Sequence, residues 1–388
     1  MATAQPAPNA LDADAATPAS APLQRTPLYE RHRALGGKIV PFAGYEMPVN
    51  YPAGITAEHK AVRERCGVFD VSHMGEFLVR GPGAIAFVNH VATNDVTKLA
   101  VGQAHYSTLC NERGTVEDDC LVYRYADHLM VVVNASNKDK DLAHVLRYKG
   151  DFDCTVEDVS DDIGLLAVQG PEAEDVLRPL TAADLSALKY YWFAEGEVAG
   201  VPCTISRTGY TGEDGFEVYA APEHAERLWQ RILDAGGYDT PGGVQPAGLA
   251  ARNTLRLEAG MALYGHEITE ETTLLEANLG WITKLGKGDF TGRDALARQK
   301  EQGVRRRLVG FEVTDRGIAR DGQDVYADGA KVGHITSGSP APFLKKNIGM
   351  AYVPAELASV GRQIQIDVRG RMVGAQIVPV PFYKRSRQ

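Results

Sequence analysis

The chemistry open to this chain is carried by two acidic segments and a set of tyrosines. Val116-Glu117-Asp118-Asp119 places paired acids on a short run. Arg207-Thr208-Gly209-Tyr210-Thr211-Gly212-Glu213-Asp214-Gly215-Phe216-Glu217 places Tyr210 and Glu217 among further acids. His105-Tyr106-Ser107 adds an aromatic hydroxyl, and Gly248-Leu249-Ala250-Ala251-Arg252 adds a cation. A carboxylate matches an amidine-like edge of N–H donors, a tyrosine matches a flat ring, and a second carboxylate serves a nucleophilic amine nearby. The set suits a planar nitrogen heterocycle that carries a reactive amine.

The backbone must hold these side chains. Asp118-Asp119 follows a turn at Glu112-Arg113-Gly114-Thr115 and precedes the apolar run Cys120-Leu121-Val122-Tyr123. Strand alternation sends the two carboxylates to opposite sides, one toward a cavity and the other toward water. Glu217 sits on a strand from Phe216 to Tyr219, on the face opposite Phe216. Arg252 shares a helix with Leu249, Leu255 and Arg256.

A strand-then-helix unit recurs around these sites. Phe77-Leu78-Val79-Arg80 runs into Gly81-Pro82 and then Ala84, Ile85, Phe87, Val88 and Val91. Leu165-Leu166-Ala167-Val168-Gln169 runs into Gly170-Pro171 and then Ala173, Val176 and Leu177. Glycine permits the tight exit, and proline fits a first helical turn where its missing N–H costs nothing. Leu129–Val133 before a helix from Asn134 to Leu146, and Phe216–Tyr219 before a helix from Glu223 to Leu233, repeat the rhythm. The pattern predicts an α+β protein with two related mixed α/β domains, a weak internal duplication. Residues 268–303 read as a connector ending in a helix from Arg293 to Gln302. Beyond it, Leu308–Val313 and hairpins over Val325–Val332 and Ile364–Val373 predict a small all-β barrel. The expected boundaries are an Ala/Pro-rich disordered tail over 1–24, a two-domain region over 25–290, a connector helix over 291–303 and the barrel over 304–388.

Composition narrows the classes. The 388 residues allow a large core, and 44% hydrophobic with 23% charged residues is ordinary for a globular protein. Cys66, Cys110, Cys120, Cys154 and Cys203 show no C-x-x-C spacing, which predicts reduced thiols. A net charge of −9 argues against nucleic-acid binding. Local basic clusters, Arg305-Arg306-Arg307 and Lys384-Arg385-Ser386-Arg387, fit solvated charge or an acidic protein partner. No apolar run of about eighteen residues predicts a membrane span. The first 24 residues carry no positive charge, so neither a signal nor a transit peptide is expected. Nucleotide-binding glycine motifs, a G-x-S-x-G elbow and His/Cys clusters at metal spacing are missing, and His73 and His266 read as structural. The expected chemistry uses an organic cofactor, with no metal and no nucleotide.

Several stretches together resemble a known family, the aminomethyltransferases or T-proteins of the glycine cleavage system. They are RTPLYERH, AGYEMPVNY, GVFDVSHMGEF, TNDV, SRTGYTGEDGFEVY, PAGLAARNTLRLEAGMALYGHE, KGDFTGRDAL and LKKNIGMAYV, spread from Arg25 to Val353. The resemblance implies a cloverleaf-like three-domain arrangement with tetrahydrofolate in a central hole. It implies transfer of the methylene carbon of an S-aminomethyl-dihydrolipoyl group on the partner H-protein to tetrahydrofolate. Ammonia, 5,10-methylenetetrahydrofolate and dihydrolipoyl H-protein are the products. Asp119 matches the family's catalytic aspartate, and Glu217 the glutamate at the pterin edge. Tyr106, Tyr191 and Tyr210 match pocket tyrosines and Arg252 a cofactor-contacting arginine. Met74, Asn134 and Tyr383 match further lining positions. Two positions depart from the family pattern. Tyr45 replaces a usual Trp, which bears on packing, and Asn253 replaces a usual Asp, which removes a salt bridge expected beside Arg252.

Other readings on the same scaffold are a folate-dependent demethylase, the folate half of a sarcosine- or dimethylglycine-oxidising protein, or a non-enzymatic folate-binding factor. The oxidases carry a flavin domain for which this chain has no fingerprint. The binding factor carries a cysteine where this chain reads Lys287-Gly288-Asp289-Phe290-Thr291-Gly292-Arg293-Asp294. The expected setting is a bacterial cytoplasm, or a mitochondrial matrix for a eukaryotic source, with no membrane and no nucleic acid.

Overall fold

The computed structural model describes residues 22–238 and 240–385. Residues 1–21 of the expected tail, and Ser386 and Arg387 of the second basic cluster, lie outside the described residues. Backbone pairing includes Gln24, the last residue of the expected tail. The Gln24 backbone N–H donates to Gly44 O and its carbonyl accepts from Glu46 N–H, each at 2.9 Å.

Two sheets share one strand plan. The first runs Gln103–Cys110, Val116–Arg124, His128–Val133, Gly75–Arg80, Thr155–Asp158 in spatial order. The second runs Phe193–Val198, Val201–Ser206, Gly215–Ala220, Gly164–Gln169, Gly67–Asp70, with Gln245–Pro246 added at the edge. Gly75–Arg80 and Gly164–Gln169 each lead through a Gly-Pro pair into a helix, Ala84–Val91 in one and Ala173–Leu177 in the other. Gly81 and Gly170 have φ of +116° and +135°. A Cβ there would meet the Asp153 carbonyl oxygen at 2.7 Å and the Arg65 carbonyl oxygen at 2.4 Å, so both positions need glycine for the same close approach. The duplication has one exchange: the fifth strand of the second sheet, Gly67–Asp70, precedes the whole first sheet in the chain.

Each sheet buries one face under its own helices. Phe77, Phe87, Val122 and Val145 form that core in the first half; Val168, Phe216, Trp229 and Ile232 form it in the second. The other faces meet each other through Tyr123, Tyr125, Met130, Phe193, Leu165 and Tyr219. The helix expected from Asn134 starts later, at Lys138, after a turn at Ala135–Asn137. The reason is local: Asn134 has extended backbone and directs its side-chain amide to carboxylates. Residues 306–378 close a six-stranded barrel around Phe311, Ile335, Ile366 and Ile377. Its outer residues Leu308, Met350 and Tyr352 cluster with Leu257 of helix Leu249–Glu258, which docks the barrel on the first two domains. Among the described residues, no helix is long and apolar enough to cross a membrane.

Arg63, on helix Ile55–Glu64, is buried at the junction. Its guanidinium donates to Glu258 Oε2 (2.9 Å), Glu213 Oε1 (3.0 Å), Thr211 O (2.7 Å) and Leu255 O (3.0 Å). His59 Nε2 lies 3.1 Å from the same Glu258 oxygen. Burial pushes the Glu258 carboxyl up, but His59 and Arg63 overcome it and hold the group below its ordinary range. Arg63→Met leaves two buried carboxylates without their cation, so unfolding free energy should fall by about 3–5 kcal/mol. Chemical denaturation checks this; a loss under about 1 kcal/mol would show the network to be dispensable.

Candidate functional site

The inter-sheet face and the connector enclose a cavity of about 330 Å³. Of the side chains singled out in the sequence, Met74, Tyr106, Asp119, Asn134, Tyr191, Tyr210, Glu217 and Arg252 all line it. Tyr383 is not among the lining residues. Its ring lies 4.1 Å from the Arg63 guanidinium carbon, and its backbone N–H donates to Glu258 O at 2.8 Å.

Asp119 reaches the cavity from strand Val116–Arg124, where Asp119, Leu121 and Tyr123 share one face. Tyr106 Oη donates to its Oδ2 at 2.9 Å and Asn134 Nδ2 to its Oδ1 at 2.7 Å. Asp118 does point the opposite way, but the expected contact with water is absent. It is fully buried and accepts from Asn134 N (2.9 Å), Asn134 Nδ2 (2.9 Å) and Asn137 Nδ2 (2.8 Å). The helix Lys138–Arg147, with Asp141 in its first turn, packs where solvent was expected. Burial first, and then the neighbouring charge of Asp118, push the Asp119 carboxyl up to about 7, against the hydrogen bonds from Tyr106 and Asn134. A carboxylate in that range can take or give a proton near neutral pH.

Glu217 enters from strand Gly215–Ala220 and accepts from Thr208 Oγ1. Burial raises its carboxyl above the ordinary value, partly offset by Thr208 and the charge of Arg252. Arg252, on helix Leu249–Glu258, has its guanidinium carbon 4.7 Å from the Tyr210 ring centroid. Among the described residues it has no carboxylate within 4 Å, and burial lowers its pKa while Tyr210, Glu217 and Asp119 favour its charge. Asn253 forms no salt bridge to Arg252, as the departure from Asp at this position implies. Asn253 Oδ1 accepts from Arg256 Nε at 2.8 Å, and Arg256 pairs with Glu267 at 2.7 Å. Tyr210 donates to Ala262 O, which fixes its ring. Tyr191 holds φ of +64°, a conformation costly for a bulky residue, with its backbone bonded to Arg207 O at 2.9 Å and to Ala104 N at 2.8 Å. Tyr45 is buried, and its hydroxyl accepts from Lys138 Nζ at 2.7 Å.

Sequence reasoning missed much of the far wall. Thr208, Met261–Tyr264, Asn278 and Trp281 line the cavity, as do Leu308, Val309, Met350 and Val380 from the barrel and the segment after it. Trp281 is 60% exposed, and its ring stacks 6.0 Å from Tyr106. A tryptophan in a glycine-rich connector was a usable signal for it. The barrel residues carried none, because their inclusion depends on docking between distant segments.

Residues 28–287 match the family model described as the GCVT N-terminal domain, and residues 306–384 match the glycine cleavage T-protein C-terminal barrel domain. The aminomethyltransferase of Desulfitobacterium hafniense (strain DSM 10664 / DCB-2) is 52% identical over 365 residues, covering 94% of this chain and 99% of that protein. The aminomethyltransferase of Rubrobacter xylanophilus is 52% identical over 366 residues, covering 94% of this chain and 95% of that protein. The crystal structure of glycine cleavage system aminomethyltransferase T from Bartonella henselae superposes with a TM-score of 0.87 at 35% identity, over 93% of this chain and 98% of that one.

The buried acid pair has a measurable consequence. In NMR titration of carboxyl-labelled aspartate, Asp119 should titrate near neutral pH, and Asp118→Asn should move its midpoint down by removing the repelling charge. A wild-type midpoint in the ordinary carboxylate range, or no movement in the variant, would refute the account of this pair.

Proposed function

We propose a catalytic role on the premise that this chain belongs to the glycine cleavage T-protein, or aminomethyltransferase, family. The enzyme is a one-carbon transferase. It moves the methylene carbon of an S-aminomethyl-dihydrolipoyl group on the H-protein to tetrahydrofolate. Ammonia is released, and 5,10-methylenetetrahydrofolate and dihydrolipoyl H-protein form. The observation that carries this reading is that Asp119 and Glu217 line one cavity, with the cation of Arg252 acting on both. A bacterial cytoplasmic setting is part of the proposal, supported by the bacterial origin of the relatives.

The side chains present fit a reduced pterin. Glu217 accepts from Thr208 within the protein and can accept the paired N–H groups of a pterin edge. Arg252, without an ion pair among the described residues, is available to an acceptor on the ligand. Tyr191, Tyr210 and Met74 offer apolar surface to a flat ring. Bound tetrahydrofolate supplies the amine nitrogens that receive the carbon.

Asp119 does the proton work. Held at both oxygens by Tyr106 and Asn134, its carboxylate stabilises positive charge that develops on the carbon as ammonia departs. The same oxygens accept the proton lost by the attacking amine, a contribution of about 10²–10⁴-fold. Below pH of about 7 the carboxyl is protonated and unable to act as a base, so turnover should fall as pH drops through that value.

The direct test is ammonia release from aminomethylated H-protein with and without tetrahydrofolate, read alongside formation of the methylene product. Release that ignored tetrahydrofolate, with no methylene product, would refute the proposal. Asp119→Asn should lose about 10²–10⁴-fold in turnover with little change in folate affinity. Glu217→Ala should do the converse, weakening tetrahydrofolate by about 2–4 kcal/mol in calorimetry because it strands buried donors. Near-wild-type turnover in the first, or unchanged affinity in the second, would remove the assigned role.

A further inference from the structure

Behind Glu217 the two sheets meet through hydroxyl groups as well as apolar side chains. Thr208 Oγ1 bonds Glu217 and lies 2.9 Å from Ser206 Oγ and 3.3 Å from Tyr123 Oη. Ser206 Oγ is 3.2 Å from Tyr123 Oη, which is 2.9 Å from Tyr219 Oη. All four residues are buried, and Thr208 lines the main cavity. Tyr123 lies on the strand of Asp119, four positions on and on the same face; Tyr219 lies on the strand of Glu217, two positions on and on the same face. The Tyr123–Tyr219 contact therefore spans the gap that separates the two carboxylates.

Proton counting gives the chain a direction. Each hydroxyl has one proton to donate, and the strongest acceptor in reach is the Glu217 carboxylate. With its proton directed there, Thr208 accepts in turn from Ser206, 2.9 Å away, or Tyr123, 3.3 Å away. Tyr219 donates to Tyr123 when Tyr123 donates to Thr208. Such a chain is polarised along its length, so each bond strengthens the next.

We propose that the Thr208–Tyr123–Tyr219 hydroxyl chain is positioning machinery for Glu217, holding its carboxylate as an acceptor at a fixed distance from the strand of Asp119 and so setting affinity for the pterin N–H edge. The inference rests on the reading of Glu217 as the pterin acceptor. The groups around Glu217 are Arg252 from helix Leu249–Glu258, Tyr190 and Tyr191 from the loop before strand Phe193–Val198, Tyr123 from strand Val116–Arg124, Glu76 from strand Gly75–Arg80, and Tyr219 from its own strand. Glu76 Oε2 is buried with no hydrogen-bond partner among the described residues, and burial pushes that carboxyl up to about 8. Thr208 and Arg252 oppose the upward push of burial on Glu217. Losing the Thr208 donor should make Glu217 protonate at higher pH.

The test compares Thr208→Val, Thr208→Ser and Tyr123→Phe with Glu217→Gln in the full-length enzyme, measuring kcat, KM and Kd for tetrahydrofolate across pH. Thr208→Val should raise KM and Kd about ten- to hundredfold with kcat changed less, the loss expected for a hydrogen bond to a charged group. The acid limb of tetrahydrofolate Kd, which Asp119 does not set, should also move to higher pH. Thr208→Ser should restore both, and Tyr123→Phe should show a smaller change in the same direction. A structural role alone would lower thermal stability and leave the limb in place. If Glu217→Gln weakens tetrahydrofolate while Thr208→Val and Tyr123→Phe keep wild-type values, the hydroxyl chain has no such role. Should Thr208→Val fail to fold, wild-type values in Tyr123→Phe alone overturn the proposal. If Glu217→Gln leaves tetrahydrofolate binding unchanged, the reading of Glu217 falls and this inference with it.

Discussion

One buried guanidinium holds the parts of this protein in register. Arg63 binds helix Leu249–Glu258 through Glu258 and the Leu255 carbonyl, and the Tyr210–Asp214 loop through Thr211 and Glu213. The Tyr383 ring covers it from the C-terminal segment. Each segment it touches also supplies the cavity: Arg252 from the helix, Tyr210 from the loop, Val380 from the C-terminal run. A charge so deep is tolerable only because its donors meet two carboxylates and two carbonyls with good geometry. Satisfying it requires all these segments at once, which makes the cavity wall a cooperative unit.

The cavity works on the opposite principle. Its charged groups are buried and left incompletely matched. Arg252 has an aromatic neighbour but no ion pair among the described residues, and Asp119 stands against a second acid, Asp118. Burying such groups without full compensation costs stability and shifts their proton affinities toward neutrality. The saturated network around Arg63 and the unsaturated one in the cavity meet on a single helix, at Arg252 and Glu258, less than two turns apart on Leu249–Glu258.

Much of this was readable in the residues. The repeated Gly-Pro exits marked the duplicated halves, because only glycine tolerates the close backbone approach at both positions. The helix Arg293–Gln302 and the barrel hairpins followed from local pattern and turn chemistry. Tyr106, Asp119, Tyr210, Glu217 and Arg252 come from segments whose residue types already suggested a heterocycle, whereas Met74, Asn134 and Tyr191 followed only from the family resemblance. What failed was anything set by tertiary cover. Asp118 looked solvent-facing on its strand, and only the packing of helix Lys138–Arg147 buries it. The departure at Asn253 was read against Arg252, but helical spacing of three residues turns that side chain to Arg256. Tyr383 was grouped with the cavity, yet it stacks on Arg63.

The exchanged strand Gly67–Asp70 has a consequence for how the molecule is made. It is synthesised before every strand of the first sheet, yet its ladder partner, Gly164–Gln169, comes after them all. During translation its apolar residues wait while a complete neighbouring sheet emerges, and loop closure over that span precedes any gain from pairing. The second half is therefore not one continuous stretch that can be cut out and expressed alone. A fragment starting at Gly164 would leave Leu166 and Val168 on a bare sheet edge, open to pairing with another chain. The two halves resemble each other in plan, but the ribosome must deliver all of the first before the second can close.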